Sequence, residues 1–290
     1  MQPTIRYILQ GPFPFRKKLK YFGRFFKWQF ISKILKSSIT YQFTQNSKLT
    51  LFNGFHALSG NYYFGLQEPD VMPFVLHFLR ENDLFVDLGA NGGAFTVLAS
   101  AEKKSYTVAV EASDGAFRGL LKNIEVNNIR RLVEALNVAV SDKNTVVPFT
   151  SSNDATNRIS YEESDDIVYV DARKLDDILD GRVPILIKMD IEGHEHNAIL
   201  GAGKTLSSAN CKALILEFSN TGEYYGYGNK YTHQILTEYG FKPFKYNYKQ
   251  KELIALETPS EFNMIYIRDE PFVRNRLETA PRILVGGESI

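Results

Sequence analysis

Short apolar runs recur through the middle of the chain, with longer segments of mixed polarity between them. Such runs are typical of strands that are buried on both faces of a sheet, and the segments between them carry apolar residues at helical spacing. Four clear runs and one weaker run, at 136–140, predict strands: 84–88, 107–110, 136–140, 185–189 and 214–218. Strands that alternate with helices predict an α/β fold with a doubly wound, mainly parallel sheet.

Further patterns lie on either side of these strands. Apolar spacing over 71–79 predicts a helix, and two β-prone runs around Asn46-Ser47 predict a hairpin. The segment 241–269 predicts an antiparallel pair of strands at the edge of the sheet. The polar, acidic segment 150–166 is typical of a loop or a lid. The tail, 270–290, has no pattern that predicts an element.

Residues 16–30 predict an amphipathic helix. Its apolar side is formed by Leu19, Phe22, Phe26 and Phe30, and its basic side by Lys17, Lys20, Arg24 and Lys27. A helix of this kind packs on the rest of the protein with its basic side in water, lies on an anionic membrane surface, or binds nucleic acid. The membrane alternative involves residues 16–36.

Charge is divided unevenly along the chain. Residues 1–67 contain ten Lys or Arg and no Asp or Glu, which gives +10, whereas the remaining residues carry −9. This asymmetry indicates an anionic partner or a neighbouring acidic surface. It also suggests a division into a basic, aromatic N-terminal extension (1–67), a main α/β domain (68–270) and a C-terminal tail (271–290).

The composition excludes several classes of protein. With 44% hydrophobic and 23% charged residues, the chain is neither disordered nor of low complexity. Its single cysteine, Cys211, cannot form an internal disulfide, and no apolar run is long enough to cross a bilayer. The N-terminus lacks the pattern of a secretory signal. We therefore expect a cytoplasmic protein.

The first predicted strand leads into a glycine-rich turn, Asp87-Leu88-Gly89-Ala90-Asn91-Gly92-Gly93. Glycines at such a turn allow a ligand to lie against main-chain N–H groups at a helix N-terminus. Glu111 ends the next strand, where doubly wound folds place an acid that binds two ribose hydroxyls. The glycine spacing matches neither the dinucleotide motif nor the P-loop. The pattern indicates a site for another nucleoside ligand.

A second cluster of ionisable residues lies at the end of the strand 185–189. Lys188 and Asp190 share one face of this strand, and a buried lysine needs a carboxylate partner such as Asp190, Asp87 or Glu217. Asp190, Glu192 or His194 would each serve as a general base. Glu192 and Glu195 also suit a helix start, and His196 a solvated helix position. A metal site is an alternative, with the ligands Asp190, Glu192, His194 and His196.

The two clusters together resemble the FkbM family of S-adenosylmethionine-dependent methyltransferases. The matching pieces lie within residues 60–268 and run in order: FVDLGANGGAFT, VAVEAS, LKNIEVNN, LNVAVSD, VDARKLDDIL, IKMDIEGHEHNAILGAG, ALILEFS and NMIYIR. The resemblance implies a class I methyltransferase (Rossmann-like) sheet of seven strands, with the last strand antiparallel. It also implies S-adenosylmethionine as the cofactor.

The resemblance implies a role for each matching residue. The methionine part of the cofactor would be held by Asp87, by the backbone of Gly89, Ala90, Asn91 and Gly92, and by Thr96. Glu111 would hold the ribose, and the adenine would lie beside Ala112 or Ser113 and Ser141-Asp142. Asp190, Glu192 and His194 would lie beside the transferred methyl group, with Lys188 balancing their charge.

Family members act largely on hydroxyls of sugars and of glycosylated or polyketide products. The resemblance therefore implies O-methylation of a sugar, glycan or glycolipid hydroxyl. We predict no metal, although a divalent ion remains an alternative. RNA ribose 2′-O-methylation is a rival function that the basic N-terminus favours and the charge of the remaining chain opposes, so nucleic acid is not the expected partner. The third interpretation is a non-catalytic, membrane-associated protein that keeps the cofactor pocket. Peripheral contact through residues 16–36 would place the protein on the inner membrane face.

Overall fold

Helices and strands alternate along most of the chain. The computed structural model describes residues 3–53, 57–152, 156–162, 164–218, 220–259 and 262–290. The helices are α1 (Pro3–Gln10), α2 (Phe15–Gln29), α3 (Ser59–Phe64), α4 (Met72–Phe78), α5 (Ala94–Val97), α6 (Asp114–Val126), α7 (Leu175–Leu179), α8 (Glu195–Leu200), α9 (Gly203–Ser207), α10 (Asn229–Glu238) and α11 (Glu270–Glu278). The strands are β1 (Ile39–Gln42), β2 (Lys48–Leu51), β3 (Leu84–Leu88), β4 (Tyr106–Val110), β5 (Val133–Leu136), β6 (Ala139–Val140), β7 (Thr145–Thr150), β8 (Ile167–Arg173), β9 (Leu186–Met189), β10 (Ala213–Phe218), β11 (Lys242–Asn247), β12 (Glu252–Ala255), β13 (Phe262–Ile267), β14 (Leu284–Val285) and β15 (Glu288–Ser289).

Eight of these strands form the central sheet, in the order β12-β11-β13-β10-β9-β3-β4-β5. The pairs β10–β9, β9–β3, β3–β4 and β4–β5 are parallel, and β13 is antiparallel to both β10 and β11. The fold class predicted from the sequence is confirmed, including the antiparallel last strand. The structure adds an eighth strand, β12, which pairs antiparallel with β11 at the edge.

The sheet separates two apolar layers. Alternate residues of a strand point to opposite faces, so Phe85 packs in one layer and Val86 in the other. The same alternation places Leu186 with Phe85 and Ile187 with Val86. Because both faces are covered, the central strands are mainly apolar runs, and this is why their sequence pattern was clear.

Four predicted strands lie where the apolar runs placed them, as β3, β4, β9 and β10. The prediction of the weaker strand, 136–140, was wrong, because this segment contributes to two different sheets. Leu136 ends β5 in the central sheet, while Ala139 pairs with Ala172 in a second sheet. β5 is an edge strand with Glu134 exposed, so it lacks a continuous apolar run. The predicted edge pair also proved to be three strands, β11, β12 and β13.

The second sheet consists of β6, β8 and β7 and lies next to the carboxyl ends of β4 and β5. Its apolar side chains include Val147, Phe149 and Ala172. The predicted loop or lid, 150–166, connects β7 to β8, and residues 153–155 and 163 of it lie outside the described residues. The described part forms a bridge between Phe149 and Ile159.

The N-terminal helix α2 packs on the core through a different face from the predicted one. Tyr21, Phe25 and Trp28 are buried, whereas Phe26 and Phe30 of the predicted apolar side are more than half exposed. The helix therefore carries two apolar faces, and only one is covered. The predicted hairpin around Asn46-Ser47 is formed by β1 and β2.

The C-terminal tail contains α11 and the small hairpin β14–β15. α11 buries Val273 and Leu277 in the same apolar layer that contains Trp28. Thr44 forms a β-bridge with Val285, and Lys17 Nζ lies 2.7 Å from Glu288 Oε2. The boundaries suggested at residues 67 and 270 thus separate segments that share one core. No helix in the described part of the chain is both long and apolar enough to span a membrane.

Candidate active site

The turn after β3 is held against its neighbours by main-chain contacts. Gly89 has φ +72°, a conformation that favours glycine, and a Cβ at this position would lie 1.8 Å from the carbonyl oxygen of Asp190. The N–H groups of Gly89 and Ala90 both donate to the carbonyl of Val110. The turn therefore lies directly between the ends of β4 and β9.

Glu111 lies at the end of β4 and is tied to this turn. Its two carboxylate oxygens accept the N–H groups of Asn91, at 2.8 Å, and Ser113, at 2.7 Å. Burial raises the pKa of Glu111 to about 7, although these two donors act in the opposite direction. Each oxygen keeps a further lone pair for a ligand hydroxyl.

Asp87 lies beneath the turn and is fully buried. Its Oδ2 accepts the hydroxyl of Thr96 at 2.7 Å, while its Oδ1 has no partner among the described residues. Burial raises the pKa of Asp87, and Lys188 lowers it in part. Thr96 is itself buried, so it positions Asp87 from behind rather than lining the cavity.

Lys188 is buried at the centre of the second cluster. Its Nζ donates to Asp190 Oδ2 at 2.9 Å and lies 4.7 Å from the centre of the Phe95 ring. Although burial alone would favour neutral forms, the attraction between the two charges raises the pKa of Lys188 and lowers the pKa of Asp190. Both groups are therefore charged at neutral pH.

Strand register brings a row of polar residues to the same edge of the sheet. Glu217 lies beside Asp190 on the neighbouring strand, and it is the register partner of Asn263 on β13. Asn263 Nδ2 in turn donates to Glu68 Oε2 at 2.9 Å. Four carboxylates, those of Glu68, Asp190, Glu192 and Glu217, thus converge near a single buried lysine.

The crowding of these carboxylates changes their proton affinities. Burial, together with the neighbouring Asp190, raises the pKa of Glu217 to about 9. Burial raises the pKa of Glu68 to about 7, partly offset by Lys188. Burial and Asp190 also raise the pKa of Glu192 to about 7. At neutral pH the cluster therefore holds protons as well as negative charge.

Glu192 occupies a strained turn between β9 and α8. Its φ of 56° lies in the left-handed region, which costs a side-chain-bearing residue about 1 kcal/mol or more. The next residues stabilise the turn, because Glu195 Oε1 accepts the N–H groups of Ile191 and Gly193. Glu195 thus caps the turn, whereas Glu192 lines the cavity.

His194 is held on the other side of this turn. Its Nε2 lies 3.0 Å from the hydroxyl of Ser141, which also donates to Asp142. Burial lowers the pKa of His194 to about 4, so the ring is neutral at physiological pH. Ser141 and Asp142 were expected beside the adenine, but neither lines the cavity: Ser141 contacts His194, and Asp142 accepts from Ser141.

One cavity of about 290 Å³ joins the two clusters. Small-molecule sites typically occupy about 300–1,000 Å³. From the cofactor set it is lined by Gly89, Ala90, Asn91, Glu111 and Ala112, and from the catalytic set by Lys188, Asp190, Glu192 and His194. Gly92 lies behind the turn, and its carbonyl accepts from Asn123. Ser113 lines a second, adjoining cavity.

Sequence reasoning missed Glu68 and Asn263. The sequence did mark Glu68, because it is the first acidic residue of the chain and stands just before Pro69 and helix α4. Asn263 begins the strand piece NMIYIR, where its polar side chain precedes an apolar run. Both line the cavity.

The ligand atoms of Asp190, Glu192 and Glu217 lie within 4.8 Å of one another. Among the residues that the structure describes, this cluster of three carboxylates includes neither His194 nor His196, the two histidines of the metal site considered from the sequence. His194 contacts Ser141, and the ring of His196 stacks on Tyr227 at 4.0 Å. The four-residue metal set drawn from the sequence is therefore not assembled.

The residues present fit S-adenosylmethionine. Glu111 offers free lone pairs at the position expected for a ribose, and Ala116, Val138 and Phe149 form an apolar wall beside it. Asp87, expected to hold the methionine part, lies fully buried beneath the turn with its Oδ1 unpartnered among the described residues, and it does not line the cavity. The carboxylate cluster then lies at the far end, two strands away along the sheet edge.

Several solved structures resemble the chain at low identity. SMU.1697c from Streptococcus mutans, solved with SAH, is 10% identical over 68% of this chain and 95% of its own, with a TM-score of 0.42. TYW2 from M. jannaschii, solved with AdoMet, is 13% identical over 80% and 87%, with a TM-score of 0.41. The precorrin-6y C5,15-methyltransferase of Geobacter metallireducens is 13% identical over 69% and 87%, with a TM-score of 0.40. Similarity at this level says nothing about the acceptor.

No curated protein sequence matches the chain. The FkbM methyltransferase domain, in contrast, matches residues 87–243, which include the glycine turn, Glu111 and the whole second cluster. This match spans more than half of the chain, and the enzyme class and the cofactor follow from it. The chain therefore belongs to the FkbM family of methyltransferases, which use S-adenosylmethionine.

Proposed function

We propose that the protein O-methylates a hydroxyl of an uncharged sugar, glycan or glycolipid. The observation that supports this most is the acceptor end of the cavity, where four carboxylates and Asn263 face one lysine that is already paired. Carboxylates and amides suit a neutral polyhydroxyl compound, because they accept and donate hydrogen bonds without requiring a charge on the ligand.

When bound, the cofactor supplies a methyl group activated by its sulfonium. A sugar hydroxyl is a weak nucleophile, so the protein has to orient it and remove its proton. We propose Glu192 as the base, because its pKa, raised to about 7 by burial and Asp190, matches the working pH. Asp190, fixed by Lys188, would orient the hydroxyl, and Glu217 would hold a proton beside it.

RNA ribose methylation remains the second candidate, but the charge of the site opposes it. An RNA substrate brings phosphates, and these need cationic side chains along the cavity. Among the described residues that line it, Lys188 is the only lysine or arginine, and Asp190 neutralises it.

Methyl transfer from radiolabelled S-adenosylmethionine tests this proposal. We expect label to enter neutral oligosaccharides or glycolipids but not RNA. Asp190→Asn should abolish transfer and still bind cofactor by calorimetry, whereas Glu111→Ala should bind cofactor weakly. Transfer to RNA alone, or normal cofactor binding by Glu111→Ala, would contradict the assignment.

We also propose that residues 16–36 contact an anionic membrane surface. Phe15, Leu19, Phe26 and Phe30 follow one line along α2, and each is more than half exposed. Arg16, Lys20 and Lys27 lie exposed beside this line, and the chain has no acidic residue before Glu68. An apolar stripe next to basic residues is the pattern of helices that lie in a membrane interface.

Vesicle sedimentation tests this contact. The full-length protein should bind phosphatidylcholine vesicles that contain phosphatidylglycerol, should bind pure phosphatidylcholine much less, and should dissociate at high salt. The double variant Phe26→Ser/Phe30→Ser should lose this binding, while Leu200→Ser, an exposed position on α8, should keep it. Equal binding by all three proteins would contradict the proposal, as would a dimer that the double variant abolishes.

A further inference from the structure

An exposed groove lined by four tyrosines lies next to the acceptor end of the cavity. Tyr161 comes from the connection between β7 and β8, and Tyr224, Tyr225 and Tyr227 come from the segment between β10 and α10. With Glu162 and Asn197 at its rim, the groove encloses about 430 Å³. Tyrosines from segments so far apart in sequence meet here only in the folded protein.

The groove is held in shape by hydrogen bonds between its two segments. Tyr225 Oη donates to the carbonyl of Ile159 at 2.6 Å, and Tyr224 Oη accepts the N–H of Tyr161 at 3.2 Å. The Tyr224 and Tyr225 rings pack at right angles with their centres 5.0 Å apart, and the Arg158 guanidinium lies 5.0 Å above the Tyr224 ring. A preformed surface of this kind loses little entropy when it binds a ligand.

His194 lies between the groove and the main cavity and lines both. Its ring centre lies 5.0 Å from that of Tyr225, in an edge-to-face arrangement. Two residues further along the chain, the ring of His196 stacks on Tyr227. A ligand that extends beyond Glu192 and His194 would therefore pass directly onto the tyrosines.

The chemistry of the groove indicates what kind of ligand this is. Tyr161 is the most exposed of the four tyrosines, with 68% of its surface accessible to solvent. The face of an aromatic ring packs favourably against C–H groups of a ligand. Among the described residues that line the groove, none is a lysine or an arginine, and Glu162 adds negative charge. Nucleic acids also stack on aromatic rings, but their phosphates need cationic side chains, and Arg158, which lies over the Tyr224 ring, does not line the groove. A sugar ring combines an apolar C–H face with hydroxyls and carries no charge.

We propose that this groove binds the sugar units of the acceptor that adjoin the one being methylated. The proposal rests on the proposed function, because it extends the same acceptor beyond the catalytic cavity. The enzyme would then prefer an oligosaccharide to a monosaccharide, with Tyr161 and Tyr227 providing the ring surfaces and Asn197 a hydrogen-bonding edge.

Binding of the full-length protein to an array of neutral saccharides tests the groove independently of methyl transfer. The probes are monosaccharides and oligosaccharides of hexoses, N-acetylhexosamines and 6-deoxyhexoses, with single-stranded RNA for comparison. We expect tighter binding to oligosaccharides. Tyr161→Ala should weaken it about fivefold to tenfold, as expected for one ring contact, and should leave cofactor binding unchanged. The control, Tyr106→Ala, removes an exposed tyrosine at the opposite end of β4 and should bind as the wild type does.

The outcomes separate the groove from the proposed function. Oligosaccharide binding that depends on Tyr161, without any methyl transfer to saccharides, would overturn the proposed function and keep the groove. Methyl transfer to saccharides with Tyr161→Ala binding as the wild type would keep the function and overturn the groove. Preference for RNA, or no preference for longer saccharides, would also overturn the groove.

Discussion

Gly89 and Glu192 carry much of the site's geometry, because both adopt left-handed backbone conformations where two strand ends meet. At Gly89 the reason is close approach, since the turn after β3 touches the carbonyl of Asp190. At Glu192 the left-handed turn carries a side chain that lines the cavity, in spite of the backbone cost. The cofactor turn and the acceptor cluster are thus in direct contact through Gly89 and Asp190.

Replacing Gly89 by alanine should therefore affect both clusters. We expect Gly89→Ala to lower the free energy of unfolding by about 3 kcal/mol, from left-handed strain and from the clash with Asp190. Gly181→Ala is the matched control, because Gly181 also has a positive φ, of 82°, but has open space around its Cβ. It should cost only about 1 kcal/mol. Urea unfolding measures both, and equal losses would contradict the close contact.

The pH dependence of methyl transfer tests Glu192. A base acts in its deprotonated form, so kcat should fall as the pH drops below about 7, the value to which burial and Asp190 raise the pKa of Glu192. Glu192→Gln should lower kcat about 10²- to 10⁴-fold and abolish this dependence, with the affinity for cofactor unchanged. An unaltered pH profile in Glu192→Gln would assign the proton to another group.

Strand pairing and helix packing decide which side chains meet. β9, β10 and β13 are neighbours in the sheet, and their register places Asp190, Glu217 and Asn263 side by side. In helix α2 the sequence pattern left the outcome open, because its periodicity allows two apolar faces. Packing decided between them and buried the face that contains Trp28. In the described part of the chain, the other face stays exposed at Phe26 and Phe30.

The two faces of α2 should respond differently to mutation. Trp28→Ala should lower the free energy of unfolding by about 3–5 kcal/mol, because a fully buried ring is removed from the core. Phe26→Ser, two positions earlier and exposed, should change it by no more than about 0.5 kcal/mol. Chemical denaturation of the two variants distinguishes the faces, and a large loss in Phe26→Ser would contradict the packing.

Over the whole molecule, positive charge is concentrated in the N-terminal 67 residues, and buried carboxylates are concentrated at the sheet edge. Several of these carboxyls have folded pKa values of about 7 to 9, raised mainly by burial from an ordinary 4.5: Glu68, Glu111, Glu192, Glu195 and Glu217. Between the ordinary pKa of 4.5 and each folded pKa, the carboxyl still holds a proton in the folded protein but has released it in the unfolded chain. Stability is therefore lost as the pH rises.

Thermal unfolding without cofactor tests this expectation. We expect the Tm to fall between pH 6.5 and pH 8. Burial lowers the pKa of His77 and of His194 to about 4, so above their ordinary pKa of 6.5 both rings are neutral in the folded and the unfolded chain. The window ends at about 8, the value to which burial lowers the pKa of Lys103, because that group acts in the opposite direction above it. Glu217→Gln should reduce this fall, because burial and Asp190 raise the pKa of Glu217 to about 9, the highest of the five. A Tm that rises over the same window in the wild type would contradict the burial of these groups.

The sequence by itself determined the elements whose pattern is local. The strands β3, β4, β9 and β10 are covered on both faces, so their runs are mainly apolar and visible in the sequence. The ionisable residues lie within these strands, as Asp87 does in β3, or directly after them, as Glu111 and Asp190 do. The edge strand β5 is half exposed and carries no such run, which is why its predicted position, 136–140, was wrong.

Only the tertiary structure decided which residues join those ends. Glu68 and Asn263 are nearly 200 positions apart, and strand register and a helix start bring them within 2.9 Å. The face of α2 that is covered and the groove formed by Tyr161 and Tyr224 depend equally on contacts between distant segments. Periodicity reports the environment along one element, whereas such contacts depend on packing between elements, which no local pattern encodes.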